Sequence, residues 1–236
     1  MKLIVLPFLI SLFLFVSSAN AQQINWLTDF KTANKIAVDA GKPMLLDFTA
    51  VWCKPCREME KDFWARADVV ELSKDFVCVK IDTEQNQKLA DKFGVSMLPH
   101  VITTDSWGFG LNFHRGFGIN GVWEITEKLL AVPKDFSEIR EAQNIIQSDK
   151  KNLDALLKIA DFYRRKKFYY LSCEFNNRIL KLEKNQSKRE RLMLDLAADY
   201  LQIGWTEEAK NLLAKFKKEF PASAHIEKVN RDLSGL

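Results

Sequence analysis

The stretch "DFTAVWCKPCREME", residues 47–60, places Cys53 and Cys56 two residues apart, with Trp52 in front and Pro55 between them. Such a pair can clip a metal, form an inert cross-link or run redox chemistry. A metal clip needs two further ligands at suitable spacing. Cys78 stands alone, Cys173 is remote, and His100, His114 and His225 are scattered, so no metal is expected. A disulfide-stapled scaffold would carry more than the 4 cysteines present, at framework-like spacings. Redox chemistry has the residues it requires. A cysteine attacks as thiolate, and a helix start lowers its pKa because backbone N–H groups and the helix dipole favour negative charge there. Pro55 suits the first turn of a helix, where its missing N–H is not needed. Lys54 adds positive charge nearby. Cys56, one turn on, can attack a mixed disulfide on Cys53 and release the product. Trp52 would shield one side of the pair and offer a flat apolar contact. The residues favour a redox pair over an inert cross-link, and both over a metal clip.

Strand and helix signals must hold that pair in place. "KPMLLDFTA" ahead of it reads as a short buried strand, and "REMEKDFWARA" after it as a helix with apolar Met59, Phe63 and Trp64 at helical spacing. Upstream, "DFKTANKIAVDAG" reads as a helix ending at Gly41. Downstream, "DFVCVKID" is a second strand and "TEQNQKLADKFG" a helix closed by Gly94. "HVITTD" and "LNFHRGF" flank "SWGFG" as a hairpin, and "VWEITEKLLA" makes a last helix. Strand, helix, strand, then hairpin and helix predict an α/β domain with a mixed sheet covered by helices.

From about Phe136 the strand signals stop. Leu153, Leu156, Leu157, Ile159, Ala160 and Tyr163 recur at threes and fours. Leu196, Ala197, Tyr200, Ala209, Leu213, Phe216 and Pro221 fall at the spacings of a tetratricopeptide-repeat helix pair. An earlier copy is weaker, matching at Ile159, Ala160 and Tyr163. Residues 137–236 thus resemble a short helical repeat array, with plain bundle packing as the alternative.

The chain opens with Lys2 and the apolar run "LIVLPFLISLFLFV", the length of a signal-peptide core and short of the ~20 residues of a membrane span. Ala19-Asn20-Ala21 follows as a small-x-small cleavage signal. Residues 1–21 are read as a secretory signal, with an uncleaved anchor as the alternative, and export means an oxidising compartment where disulfides persist. The remainder divides into residues 22–134 and residues 137–236, joined by "AVPKDFS". A formal charge of +4, from 35 Lys and Arg against 31 Asp and Glu, is too small and too mixed to argue for nucleic acid.

"DFTAVWCKPC" and "KFGVSMLPHVI" together, in order and spacing, resemble the thioredoxin family over most of residues 24–131. Within it, "GKPMLLDFTAVWCKPCREMEKDFW" looks most like the periplasmic thioredoxin-like domain of the thiol:disulfide interchange proteins. The resemblance implies a thioredoxin-like fold, no bound cofactor and dithiol–disulfide exchange in the bacterial periplasm. It makes Cys53 the attacking thiol and Cys56 the resolving one. It makes Asp47 the buried aspartate that moves protons to and from the resolving cysteine, and Pro99 the cis-proline beside the site. Met97 and Leu98 would lie against the substrate chain. Lys-Pro between the cysteines resembles reducing members more than strong oxidants. That implies client proteins with disulfides and a membrane thiol conductor as electron donor, with an oxidase or isomerase, or a client-binding adaptor, as alternatives. The helical half would recruit a partner or a second copy. Three positions depart from the pattern. Leu98 stands where smaller or β-branched residues are commoner. His100 follows the proline where an apolar or hydroxyl residue is usual. Cys78 occupies the strand position where many members carry a lysine near the buried aspartate, which puts the usual proton relay in question. Cys78 and Cys173 are otherwise read as small buried hydrophobes.

Overall fold

The computed structural model describes residues 23–235, so the segment read as a secretory signal lies outside the described residues. Helix α1 (Phe30–Ala40) starts where the Asp29 carboxylate accepts from the Thr32 N–H, and it stops at Gly41, whose φ of 69° only glycine adopts cheaply. Strand β1 (Met44–Thr49) is buried along almost its whole length. Helix α2 (Lys54–Met59) runs without a break into a π-helical turn, Glu60–Trp64. The two together bury Met59, Phe63 and Trp64, the residues whose spacing predicts one helix. Helix α3 (Ala67–Ser73) is an element the sequence pattern does not announce. Then follow β2 (Val77–Asp82), α4 (Gln87–Lys92), β3 (His100–Thr104), β4 (Gly110–Arg115) and α5 (Gly121–Leu130).

The sheet order is β2-β1-β3-β4. β1 runs parallel to β2 and antiparallel to β3, and β3 and β4 form the expected hairpin. The parallel pair needs a long crossover, which α2, the π turn and α3 supply. β1 therefore sits between two partners, and its C-terminal end delivers the chain straight into the Cys53 turn.

The two faces of the sheet are filled differently. Under α1 and α4, Met44, Leu46 and Phe48 pack with Val77, Val79, Ile81 and Ile102 as a closed core. On the other face, Leu45, Cys78 and Val101 pack under Met59, Phe63, Trp64, Ile125 and Leu129. This second core does not end at α5. It continues through Val132, Phe136 and Ile139 to Tyr163, Phe175 and Leu192.

Those last residues belong to an all-helical half: α6 (Arg140–Ser148), α7 (Leu153–Arg165), α8 (Tyr169–Leu182), α9 (Gln186–Gln202), α10 (Thr206–Glu219) and α11 (Ile226–Gly235). The periodic residues Leu156, Ile159, Ala160, Tyr163, Leu196, Ala197, Tyr200, Ala209, Leu213 and Phe216 are all buried, while Leu157 and Pro221 face solvent. The halves are joined by specific contacts as well as by the shared core. The Tyr163 hydroxyl donates to the buried Asp105 carboxylate at the tip of the β3–β4 hairpin. The Phe109 and Phe175 rings meet edge to face at 5.6 Å. At the junction, the Phe136 N–H donates to the Gly41 carbonyl at 2.8 Å. Among the described residues no helix is long and apolar enough to cross a membrane.

Candidate active site

Cys53 and Cys56 are joined as a disulfide, with Cα atoms 5.3 Å apart. Cys53 is the N-cap of α2, and its sulfur accepts from the Cys56 N–H at 3.2 Å. Pro55 lies in the first turn, so its absent N–H removes nothing from the helix. This arrangement aims an unshared backbone donor at the sulfur that would carry charge after reduction. Lys54 contributes less than its charge suggests. Its ammonium projects into solvent and lies 3.8 Å from Glu58, so it is both screened and shared. Trp52 is 65% exposed and its indole N–H donates to Glu84 at 3.1 Å. The two cysteines themselves are buried, packed with Ala50 and partly buried Leu98.

Leu98 comes from the loop before β3, and the Leu98–Pro99 peptide bond is cis. The Pro99 carbonyl accepts from the Gly116 N–H at 2.8 Å, which fixes that loop to the end of β4. Met97 stands 56% exposed, and a Cβ on Gly116 would come within 3.8 Å of its sulfur. Gly116 itself has a φ of 76°. The structure thus brings Cys53, Cys56 and Leu98 into contact, with Pro99 next in the chain, and leaves Met97 and Trp52 as exposed apolar rims.

Asp47 lies on β1 beneath this turn, fully buried. Burial pushes its carboxyl up to about 7; the Lys80 ammonium opposes that and the Glu60 carboxylate adds to it. Lys80 Nζ is 3.9 Å from Asp47 Oδ2 and also pairs with Glu60 on the π turn. Neither Asp47 Oδ1 nor the buried indole N–H of Trp64 completes a hydrogen bond, although the indole is close enough to lower the Asp47 carboxyl slightly against the effect of burial. Lys80 also lies over the Trp26 ring at 4.9 Å, and Trp26 meets Trp64 edge to face at 5.1 Å. The register corrects the sequence expectation about Cys78. Asp47 is paired with Lys80, and Cys78 with Leu45, two residues nearer the strand start. The lysine is therefore present beside the aspartate, and Cys78 does not displace it. The Cys78 thiol points away to the Ser73 carbonyl at 3.5 Å, and burial pushes it up to about 12. Cys173 is likewise pushed up to about 12, by burial first and then by Asp199, so both stay protonated at neutral pH.

His100 is buried at the start of β3. It pairs across the sheet with Phe48, on the face opposite Asp47, and both its ring nitrogens are buried without partners. Burial, then the Arg115 and His114 charges, push it down to about 4, so it is neutral at pH 7. Lys80 and Glu60 are the site residues that sequence reasoning missed. A concavity of about 400 Å³, lined by Lys42, Val77 and Cys78 among others, lies at the opposite end of β1 and β2.

A mixed sheet, a Cys-x-x-Cys pair capping a helix and a cis-proline loop against it define a thioredoxin-like domain. Residues 25–106 match the family model described as "Thioredoxin-like". "Probable protein disulfide-isomerase A6" of Medicago sativa is 24% identical over 193 residues, covering 80% of this chain and 51% of that protein. "Thioredoxin Y2, chloroplastic" of Arabidopsis thaliana is 38% identical over 104 residues, covering 44% of this chain and 60% of that protein. The chain thus spans about half of the length of these two curated relatives. A solved structure titled "DsbH Oxidoreductase" is 20% identical, with a TM-score of 0.40 over 47% of this chain and 87% of that one.

Proposed function

We propose that this chain is an exported thiol–disulfide oxidoreductase that reduces or exchanges disulfides in client proteins. The observation that carries the reading is the Cys53–Cys56 disulfide at the start of α2, with the Cys56 N–H on the Cys53 sulfur. After reduction, that donor stabilises a Cys53 thiolate. The thiolate attacks one sulfur of a client disulfide, a Cys53–client bond forms, and the other client sulfur leaves as thiolate. Cys56 then loses its proton and attacks the Cys53 sulfur. The Cys53–Cys56 bond forms, the mixed disulfide breaks, and the client leaves as a dithiol with two electrons more. Asp47 would accept the Cys56 proton, a role supported by its carboxyl lying near 7, where it exchanges protons readily at neutral pH. Met97, Leu98 and Trp52 would meet the client chain, and Pro99 would position it. A membrane thiol conductor in the bacterial periplasm would return the electrons.

In this reading residues 22–134 hold the chemistry, and residues 137–236, a tetratricopeptide-repeat-like array, recruit a partner or a second copy. A second reading, isomerase or oxidase, is favoured by the Medicago relative's name. Titration of the couple against glutathione separates the two, because thioredoxin lies near about −270 mV and a strong oxidant near about −120 mV. The exchange chemistry is tested by substitution. Cys53→Ser abolishes turnover of insulin disulfides, whereas Cys56→Ser accumulates mixed disulfides visible on non-reducing gels. Normal turnover by Cys53→Ser would reject the mechanism.

A further inference from the structure

We infer that the Trp64 indole N–H donates to Asp47 Oδ1 whenever that carboxyl is ionised, which makes Trp64 a positioning residue for the proton transfer. The inference rests on the thiol–disulfide exchange reading and concerns how its proton acceptor is held.

Trp64 and Asp47 are each 2% exposed. An indole N–H can only donate, and an ionised carboxylate oxygen can only accept. Here the buried donor and the buried acceptor are both unfilled, yet the indole is near enough to act on the carboxyl. A buried polar group left unpaired is costly and calls for a reason. A donor and an acceptor left unfilled near each other supply one. A bond to a charged oxygen is roughly twice as strong as one to a neutral oxygen, so the pair joins in one protonation state and slackens in the other. The helix brings the indole there. Four residues of α-helix overshoot a full turn, because about 3.6 complete one. A π turn, closed over one residue more, winds more slowly. The step from Glu60 to Trp64 therefore gives back rotation that the step from Cys56 to Glu60 adds, and both Glu60 and Trp64 reach Asp47.

The ring is held on several sides. Trp26 meets it edge to face at 5.1 Å and Phe63 at 4.6 Å, and Trp26 in turn lies under the Lys80 ammonium at 4.9 Å. The charged groups that act on Asp47 are Lys80 from β2 and Glu60 from the π turn, while its partner on β3 is the apolar Val101. Lys80, at 3.9 Å from Oδ2, is too far to complete a hydrogen bond and is shared with Glu60. Trp64 is the neutral donor placed to do so. The bond has a consequence for exchange. Asp47 must be ionised to take the Cys56 proton, which passes from the sulfur to a carboxylate oxygen with no electron moved. A donor on Oδ1 favours the ionised form and leaves Oδ2 to receive the proton. Without that donor, the carboxyl stays protonated to higher pH and accepts over a narrower range.

The bond is read in the full chain by heteronuclear NMR of the indole N–H groups, in the disulfide form, where Cys53 and Cys56 do not titrate. The Trp64 indole proton moves downfield as pH rises, with a midpoint at about 7, stays still in Asp47→Asn and still moves in Glu60→Gln. A wild-type resonance that does not move overturns the inference. So does one that titrates in Asp47→Asn or stops titrating in Glu60→Gln, because the indole would then answer another group. A second measurement follows the resolving step, as release of a small aromatic thiol from Cys53. Trp64→Phe keeps an aromatic ring and deletes the N–H. The midpoint of its rate against pH rises by about one unit, the size of a hydrogen bond to a charged group. A uniform slowing with an unmoved midpoint is the mark of a merely structural role and overturns the inference. If Trp64→Phe does not fold, the NMR measurement decides, with the resonance identified by its contact with the Trp26 ring. Reduced wild type that fails to turn over insulin disulfides sinks the exchange reading instead, whereas the indole titration is read without turnover.

Discussion

Two buried carboxyls, Asp47 and Asp105, sit at opposite ends of the sheet and teach opposite lessons. Both are raised by burial, Asp47 to about 7 and Asp105 to about 6. Their surroundings differ. One oxygen of Asp105 accepts from the Trp107 and Phe109 N–H groups at 2.8 Å each, and the other accepts from Tyr163. It is saturated, and it fastens the β3–β4 turn to helix α7. Asp47 has one oxygen without a partner and a lysine at 3.9 Å, too far for a hydrogen bond. A buried acid with both oxygens hydrogen-bonded is part of the scaffold. One left short of partners is free to take and give a proton.

The largest effect should come from the saturated acid. Asp105→Ala leaves two backbone donors and the Tyr163 hydroxyl unpaired inside the core, which costs about 3 kcal/mol or more of unfolding free energy. Urea denaturation measures it, and a loss under about 0.5 kcal/mol would break the contrast, since that is the size of an ordinary surface change. Asp47→Asn should act in the other direction on stability. The folded carboxyl titrates at about 7 against 3.8 for the ordinary group, so wild type loses stability as pH rises from about 4 to 7. The Asn variant has no such loss and should gain on wild type across that window, then hold a constant lead. Its resolving step should meanwhile lose the rise in rate through pH 7 that is expected of wild type. A variant matching wild type in both profiles would make Asp47 scaffold too. The smallest effect belongs to Lys80→Met. Removing the one charge that favours ionised Asp47 shifts the midpoint of the rate profile upward, by roughly half to one unit. A downward shift would mean that Lys80 acts on another group.

How far the sequence reveals this depends on the range of the interaction. The Asp29 and Gly41 ends of α1 are local, and they were legible because capping chemistry involves residues three or four apart. The Cys53 turn is equally local. Cys78 and Lys80 were not separable, because alternation along β2 puts both on the Asp47 face. Only the register with β1 decides which one is opposite, and packing of the whole sheet sets that register. The π turn at Glu60–Trp64 keeps the apolar spacing of a helix, so periodicity passes over it. Asp105 and Tyr163 are 58 residues apart, and nothing near either one announces the other. The junction after Val132 looked like a break because strand signals end there. In space Phe136 and Ile139 are fully buried within the core that links the halves.

The sheet has one edge that is covered and one that is guarded. Beside β2, Leu27 donates to the Cys78 carbonyl and accepts from the Lys80 N–H, so a short stretch of backbone already occupies the place where a foreign strand would pair. Beside β4, Lys128 reaches across to donate to the Phe113 carbonyl at 2.7 Å, and Arg115 stands exposed at the strand end. A strand approaching there would have to displace a lysine and lie against charge, which disfavours it. With both edges closed this way, a chain brought to the Cys53 turn under the exchange reading would meet side chains there without finding a template on which it, or another copy, could extend the sheet.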